Sequence, residues 1–249
     1  MTSISEKGHA RNVANLESLI AAIISYGTNY NPSSNSLQLD DLQSLLATSK
    51  DSLDAVNTAH ATYSNAVAAR REIFKSFSKL ITRVNNSLKA SGSSEQINRS
   101  ALTIIRKLQG KRASAKLTDD EKKALEAEGK TANQISTVQL SYDNRIENFS
   151  MLISFLSLVL QYNPNEQELK IQSLKDLYAS LKAKNTEAVT ASIYLTNARI
   201  ARNKILYNPT TGLVSISSNV KAYIKSIFGT SSPYYKQISK LEFLTVYKH

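Results

Sequence analysis

The sequence predicts an all-α fold: an elongated, coiled-coil-like helical bundle made by tandem duplication of one helix, turn and long-helix unit. Three observations carry this expectation. Only 7 glycines and 4 prolines occur in 249 residues, and they punctuate the chain, leaving segments too long to be strands. The stretch from Ser36 to Ser91 contains neither residue and reads in heptads. Shifting the chain by 132 residues superposes one half of the pattern on the other.

The heptad stripe runs through Leu39, Leu42, Leu46, Leu53, Val56, Tyr63, Val67, Phe74, Phe77, Ile81, Val84 and Leu88, with Ser49, His60 and Arg70 as polar steps. A period of about 3.5 residues held over that distance predicts one long helix, or two nearly collinear ones, with left-handed bundle packing. Some 55 residues would reach roughly 80 Å, about twice the width of a compact globule of this size, hence the expectation of an elongated molecule.

At the 132-residue offset, Tyr30, Asn31 and Pro32 fall on Tyr162, Asn163 and Pro164, and Leu37, Leu42 and Leu45 fall on Leu169, Leu174 and Leu177. Asn65, Ala69 and Arg70 meet Asn197, Ala201 and Arg202 in the same register. With one residue of slip, Val13, Asn15, Leu16 and Leu19 meet Ile146, Asn148, Phe149 and Leu152. Each unit therefore reads as an apolar helix (Arg11–Tyr26; Asp143–Gln161), a Tyr-Asn-Pro turn and a long helix (Leu37–Ser91; Glu166–Tyr207). Proline pushes its predecessor out of the α region and suits the first turn of the next helix.

The second copy is expected to break at Asn208-Pro209-Thr210-Thr211-Gly212 and resume over Val214–Phe228, with no such break in the first. Between the copies, Ser93–Gln109 and Lys116–Glu128 read as connecting helices. Thr118-Asp119-Asp120-Glu121 has capping-box spacing, and Ala132–Ser141 leads into the second copy. The segments are then residues 1–92, a basic connector 93–141, and 142–249. The last residues, Leu241–Tyr247, suit a short strand or extended tail.

No cysteine is present, which excludes disulfides, thiolate metal sites and a cysteine nucleophile. The three histidines, His9, His60 and His249, are not at ligand spacing, and no phosphate loop, nucleophile elbow or metalloprotease helix occurs. The expectation is a protein with no enzymatic activity, no cofactor and no metal. His60 sits at a core-like step and reads as a packed histidine, and Asp40 and Asp41 read as helix N-terminal acids. Arg70 and Arg202 fall on the predicted buried stripe, where a charge needs a partner. Register-fixing pairs with Asn65 and Asn197 are expected there.

The net charge is +11, and the excess grows along the chain, +2 over 1–92, +3 over 93–141 and +6 over 142–249 by count. Two basic clusters are candidate contact surfaces: Arg106, Lys107, Lys111 and Arg112, and Lys221, Lys225, Lys236 and Lys240, the latter interleaved with Tyr223, Tyr234 and Tyr235. Basic residues among aromatics can bind phosphates and stack bases, which makes nucleic acid an alternative partner. The longest apolar stretch, Phe149–Leu160, is about 12 residues, short of the roughly 20 of a membrane helix. With no visible signal segment this points to a cytoplasmic protein, and a membrane partner is not expected. A membrane-active helical protein remains a further alternative, although Met151–Leu160 reads better as packing on its long helix.

The favoured reading is a structural or interaction scaffold whose partner is itself or another protein. Quasi-equivalent copies can assemble head to tail into oligomers or filaments, with Leu241, Phe243 and Val246 as an extended arm docking on a neighbour.

Overall fold

The computed structural model describes residues 5–111, 118–129 and 140–245. Those residues form helices and turns with no strand. In chain order the helices are α1 (Ser5–Tyr26), α2 (Leu39–Lys75), α3 (Phe77–Ala90), α4 (Glu95–Gln109), α5 (Asp119–Ala127), α6 (Tyr142–Ser157), α7 (Ile171–Tyr207), α8 (Leu213–Phe228) and α9 (Pro233–Ser239). Two compact units result, one from Met1–Ser64 with Ala191–His249, the other from Asn65–Thr190. Their boundaries fall inside α2 and α7. The units cut across the segments 1–92, 93–141 and 142–249: the first joins residues 1–64 to residues 191–249, and the second takes the residues between.

In the first unit, α1 turns Leu16, Leu19 and Ile23 into a core shared with Leu42, Leu206, Val220, Ile224 and Ile238. α8 and α9 form a hairpin that packs on α1, turning at Gly229, whose φ of +79° favours a residue without Cβ. In the second unit, α6 turns Phe149, Leu152, Ile153 and Leu156 onto α4 and onto Phe77, Ile81, Val84 and Leu88 of α3. The connector helix α4 is thus a core element, with Ala101, Ile105 and Leu108 buried. Thr118 and Glu121 cap α5 reciprocally: the Glu121 N–H donates to Thr118 Oγ1 (3.3 Å) and the Thr118 N–H to the Glu121 carboxylate (2.7 Å). These bonds hold the Glu121 carboxyl below its ordinary pKa.

The joint between short and long helix has the same construction in each unit. Tyr30 Oη donates to the Leu37 carbonyl at 2.6 Å, and Tyr162 Oη to the Leu169 carbonyl at 2.9 Å. Both bonds close on a 3-10 turn, Asn35–Leu37 or Gln167–Leu169, followed by one extended residue, Gln38 or Lys170. The long helices then begin at Leu39 and Ile171, later than the expected Leu37 and Glu166, and each runs for 37 residues.

Several expectations are corrected. The segment Leu37–Ser91 does break: Ser76 separates α2 from α3. No glycine or proline marks it; the joint lies where Phe74 and Phe77 lock edge-on against Tyr142 and Phe149, centroids 4.8 and 5.0 Å apart, so packing alone sets the break. At the break after α7, Asn208 Oδ1 accepts from the N–H groups of Thr210 and Thr211, and a Cβ at Gly212 would lie 2.4 Å from the Asn208 nitrogen. α6 ends at Ser157, not Gln161. Beyond it Val159 and Tyr162 reach into the core, which leaves Leu158 and Leu160 85% and 94% exposed. His60 is exposed, unlike Val56 on the same predicted stripe. Residues 241–245 form no strand. Most of Ala132–Ser141 and the end of the tail lie outside the described residues.

Burial pushes the Tyr162 hydroxyl up to about 12, with Glu166 adding to the shift, and also raises Tyr30, with Tyr223 adding. A raised folded pKa means stability that is complete below the ordinary value of 10.0 and is lost as pH climbs through the folded value. Stability measured by circular dichroism should therefore fall between pH 10 and about 12, with tyrosinate absorbance rising in step. Tyr162→Phe should cost about 1–2 kcal/mol at neutral pH by removing a buried hydrogen bond and should flatten that alkaline loss.

Candidate functional site

Several side chains that the sequence marks for binding are engaged in structural bonds. In the second unit, the half-buried Arg70 donates from Nη1 to Asn185 Oδ1 at 3.0 Å, and Asn185 Nδ2 donates to Asp143 Oδ1 at 2.7 Å. Its guanidinium lies 4.1 Å from the Tyr142 ring centroid, a cation–π contact. Asn65, the expected companion, is exposed. In the first unit, Arg202 is buried and donates from Nε and Nη2 to Asn203 Oδ1 at 3.2 and 3.0 Å, while Asn197 is exposed. The arginines lie on the predicted stripe, but Arg70 bonds Asn185, which Asp143 orients, and Arg202 bonds Asn203. Asn65 and Asn197 precede the arginines by five residues, which turns them about 140° away around the helix, and both stand exposed.

The basic clusters divide in the same way. Lys221 Nζ donates to the carbonyls of Ser239 and Leu241 at 3.1 and 2.8 Å, closing the end of α9. Burial lowers its pKa, with Glu242 opposing. Tyr223 stands edge-on to Tyr30 at 5.4 Å, and its Oη accepts from the Asn31 N–H at 3.3 Å. Tyr234 packs against Tyr26 and Phe228, and its carbonyl accepts the Tyr26 hydroxyl at 2.9 Å. The stacking platform expected of these tyrosines is thereby occupied by the protein's own rings. Lys225, Lys236 and Lys240 are exposed. Arg106 and Lys107 lie in the last turn of α4, where cations complement the helix dipole. Lys111 is exposed, and Arg112 lies outside the described residues.

The tail is seated on its own chain rather than free for a neighbour. Asn12 is buried; its Nδ2 donates to the Leu244 carbonyl at 2.7 Å, and its Oδ1 accepts the Leu244 N–H at 3.0 Å. Asn15 Nδ2 donates to the Glu242 carbonyl at 2.6 Å, and Arg11 pairs with the Glu242 carboxylate at 3.0 Å. Leu241 and Phe243 pack against the first unit's core, and Val246 lies outside the described residues. A short strand or an extended arm docking on a neighbour was expected; two asparagine amides of α1 bind the segment within the chain instead. Their spacing of three residues was the only signal of this in the sequence.

The second unit also holds an open cleft of about 520 Å3. Its lining includes Asn86 and Ser87 of α3, the Asn163-Pro164 turn, Leu169, and Arg83, which pairs with Glu168. Sequence reasoning placed Asn163 and Pro164 in a turn but found nothing at Ser87 or Asn86, whose types carry no pattern. Among the described residues, no group of His, Asp or Glu is placed to hold a metal ion, and no helix is long and apolar enough to cross a membrane.

Comparison with protein-family models, curated proteins and solved structures finds no match to the chain.

Asn12→Ala removes both bonds to Leu244 at once. Hydrogen exchange at the Leu244 amide should then accelerate, the tail should become the first site of limited proteolysis, and global stability should fall by about 1–2 kcal/mol.

Proposed function

We propose that the chain is a non-enzymatic interaction scaffold, a tandem duplication whose heptad stripes pack its helices as a bundle and whose favoured partner is a second copy of itself. The observation that carries this reading is the repeated joint: one tyrosine-to-carbonyl bond, one 3-10 turn and one 37-residue helix recur at the same 132-residue offset. Each unit holds one such joint, and the long helix that starts there runs on past the unit's boundary. Quasi-equivalent units of this kind offer two related surfaces per chain, the condition for repeated association.

The apolar side chains left in solvent support association rather than catalysis. In the first unit, Ile193, Tyr194 and Ile200 of α7 are 56%, 64% and 62% exposed, while Leu158 and Leu160 stand out from the second. Exposed apolar groups that cluster on one element mark interaction surfaces. With the tail bound in its own chain, these residues replace it as the contacts we assign to self-association.

Light scattering coupled to size exclusion tests this. The protein should associate with rising concentration, and Ile193→Glu with Ile200→Glu should shift it toward monomer without loss of helical circular dichroism. A monomer at every concentration would overturn the self-association reading.

Nucleic-acid binding is a second reading, favoured by the exposed Lys225, Lys236 and Lys240 and the net charge of +11. Under it, affinity for a short duplex should fall steeply with salt through counterion release. Replacing those three lysines with alanine should reduce the salt slope, whereas Lys221→Ala should act on stability instead.

A further inference from the structure

The cleft of the second unit gains meaning from the corresponding place in the first. Past the break in each long helix, the buried positions Phe77, Ile81, Val84 and Leu88 of α3 correspond in spacing to Leu213, Ser217, Val220 and Ile224 of α8. Both helices pack on the 3-10 turn of their own unit, α3 on Gln167–Leu169 and α8 on Asn35–Leu37. In this register Tyr223 corresponds to Ser87. Where the first unit has a phenol ring, the second has a hydroxymethyl group and an open volume of about 520 Å3, within the roughly 300–1,000 Å3 of ordinary ligand sites.

The first unit displays what fills such a place. Tyr223 lies edge-on to Tyr30, and its oxygen accepts the Asn31 N–H. In the second unit the equivalent Asn163 N–H has no such oxygen and donates to the Gln161 carbonyl at 3.0 Å. The cleft there presents the side chains of Asn86 and Asn163 beside Pro164 and Leu169: amide groups for a hydroxyl, and apolar surface for a ring.

We propose that this cleft is a binding site for a tyrosine side chain presented by a partner protein, which takes the position that Tyr223 occupies in the first unit. The inference rests on the scaffold reading only in supposing a protein partner; the cleft is tested independently of self-association. Tyrosine suits the role because it carries a large, rigid contact area at low entropic cost and a hydroxyl that the amides can bind.

The test uses the full-length protein, labelled for NMR, titrated with p-cresol and with N-acetyl-tyrosinamide. Both should bind at one site with a Kd on the order of 1 mM, shifting the resonances of Ser87, Asn163 and Leu169, and toluene should bind more weakly. Ser87→Tyr should fill the cleft, abolish these shifts and raise the melting temperature. Tyr223→Ser should open the matching place in the first unit and add a second set of shifts around Asn31. Absence of shifts at the cleft in the wild-type protein would overturn the proposal, whichever variants fold. Unchanged binding in a folded Ser87→Tyr protein would do the same, and binding of p-cresol without N-acetyl-tyrosinamide would reject a partner's side chain in favour of a free phenol.

Discussion

A single hydrogen bond, from a tyrosine hydroxyl to the carbonyl seven residues further on, governs how this chain turns back on itself. The short helices already end at Tyr26 and Ser157, and the proline two residues after the tyrosine keeps its predecessor out of the α region, but neither says where the next helix must point. The Tyr30 and Tyr162 hydroxyls do, by holding the 3-10 turn against the ring and presenting Leu39 and Ile171 as fresh helix starts. Once that angle is set, Leu42 and Leu174 enter the same cores as α1 and α6. The helices that follow each break, α8 and α3, then close over the turns. Were the joint loose, the stripes of the long helices would have no defined face to meet.

Around these joints, groups that could have served chemistry are drawn into support. Lys221 closes a helix end, Asn12 and Asn15 hold the tail, and Arg70 is held by an asparagine, which an aspartate orients in turn. Arg145 lies 5.0 and 4.9 Å from the ring centroids of Phe74 and Phe77, and burial lowers its pKa without depriving it of charge at neutral pH. Arg70, Arg145, Arg202 and Lys221 are thus partly or fully withdrawn from solvent, while most other lysines and arginines among the described residues stay exposed. Of the groups considered as contact surfaces, Lys225, Lys236 and Lys240 and a few large apolar side chains stand in solvent, and the proposed self-association rests on the latter.

The heptad stripe was legible because burial has a period that residue type reports directly. From Leu42 to Leu88 nearly every step on it is at least half-buried, and the exception, His60, has a side chain that solvent and core both accept. The turns were legible through proline, and the cap of α5 through its Thr-x-x-Glu spacing. The Ser76 break was not, since no residue there disfavours helix and the interruption comes from aromatic rings that meet across the fold. Nor was the core role of α4, whose basic last turn obscured the stripe of Ala101, Ile105 and Leu108. For the candidate sites the balance tilts further: arginine on a buried stripe predicts a partner but not which one, and a cleft left by a missing ring leaves no mark on the serine that borders it.

By itself the sequence determined that the described chain is helical, where its stripes lie, and that one turn-and-helix pattern occurs twice, because local propensity and periodicity act over a few residues. Only the tertiary structure decided which halves join in one compact unit, that the tail binds α1, and that Ser87 borders open space where Tyr223 fills it. Those outcomes depend on contacts between residues up to 232 positions apart, which no local pattern encodes.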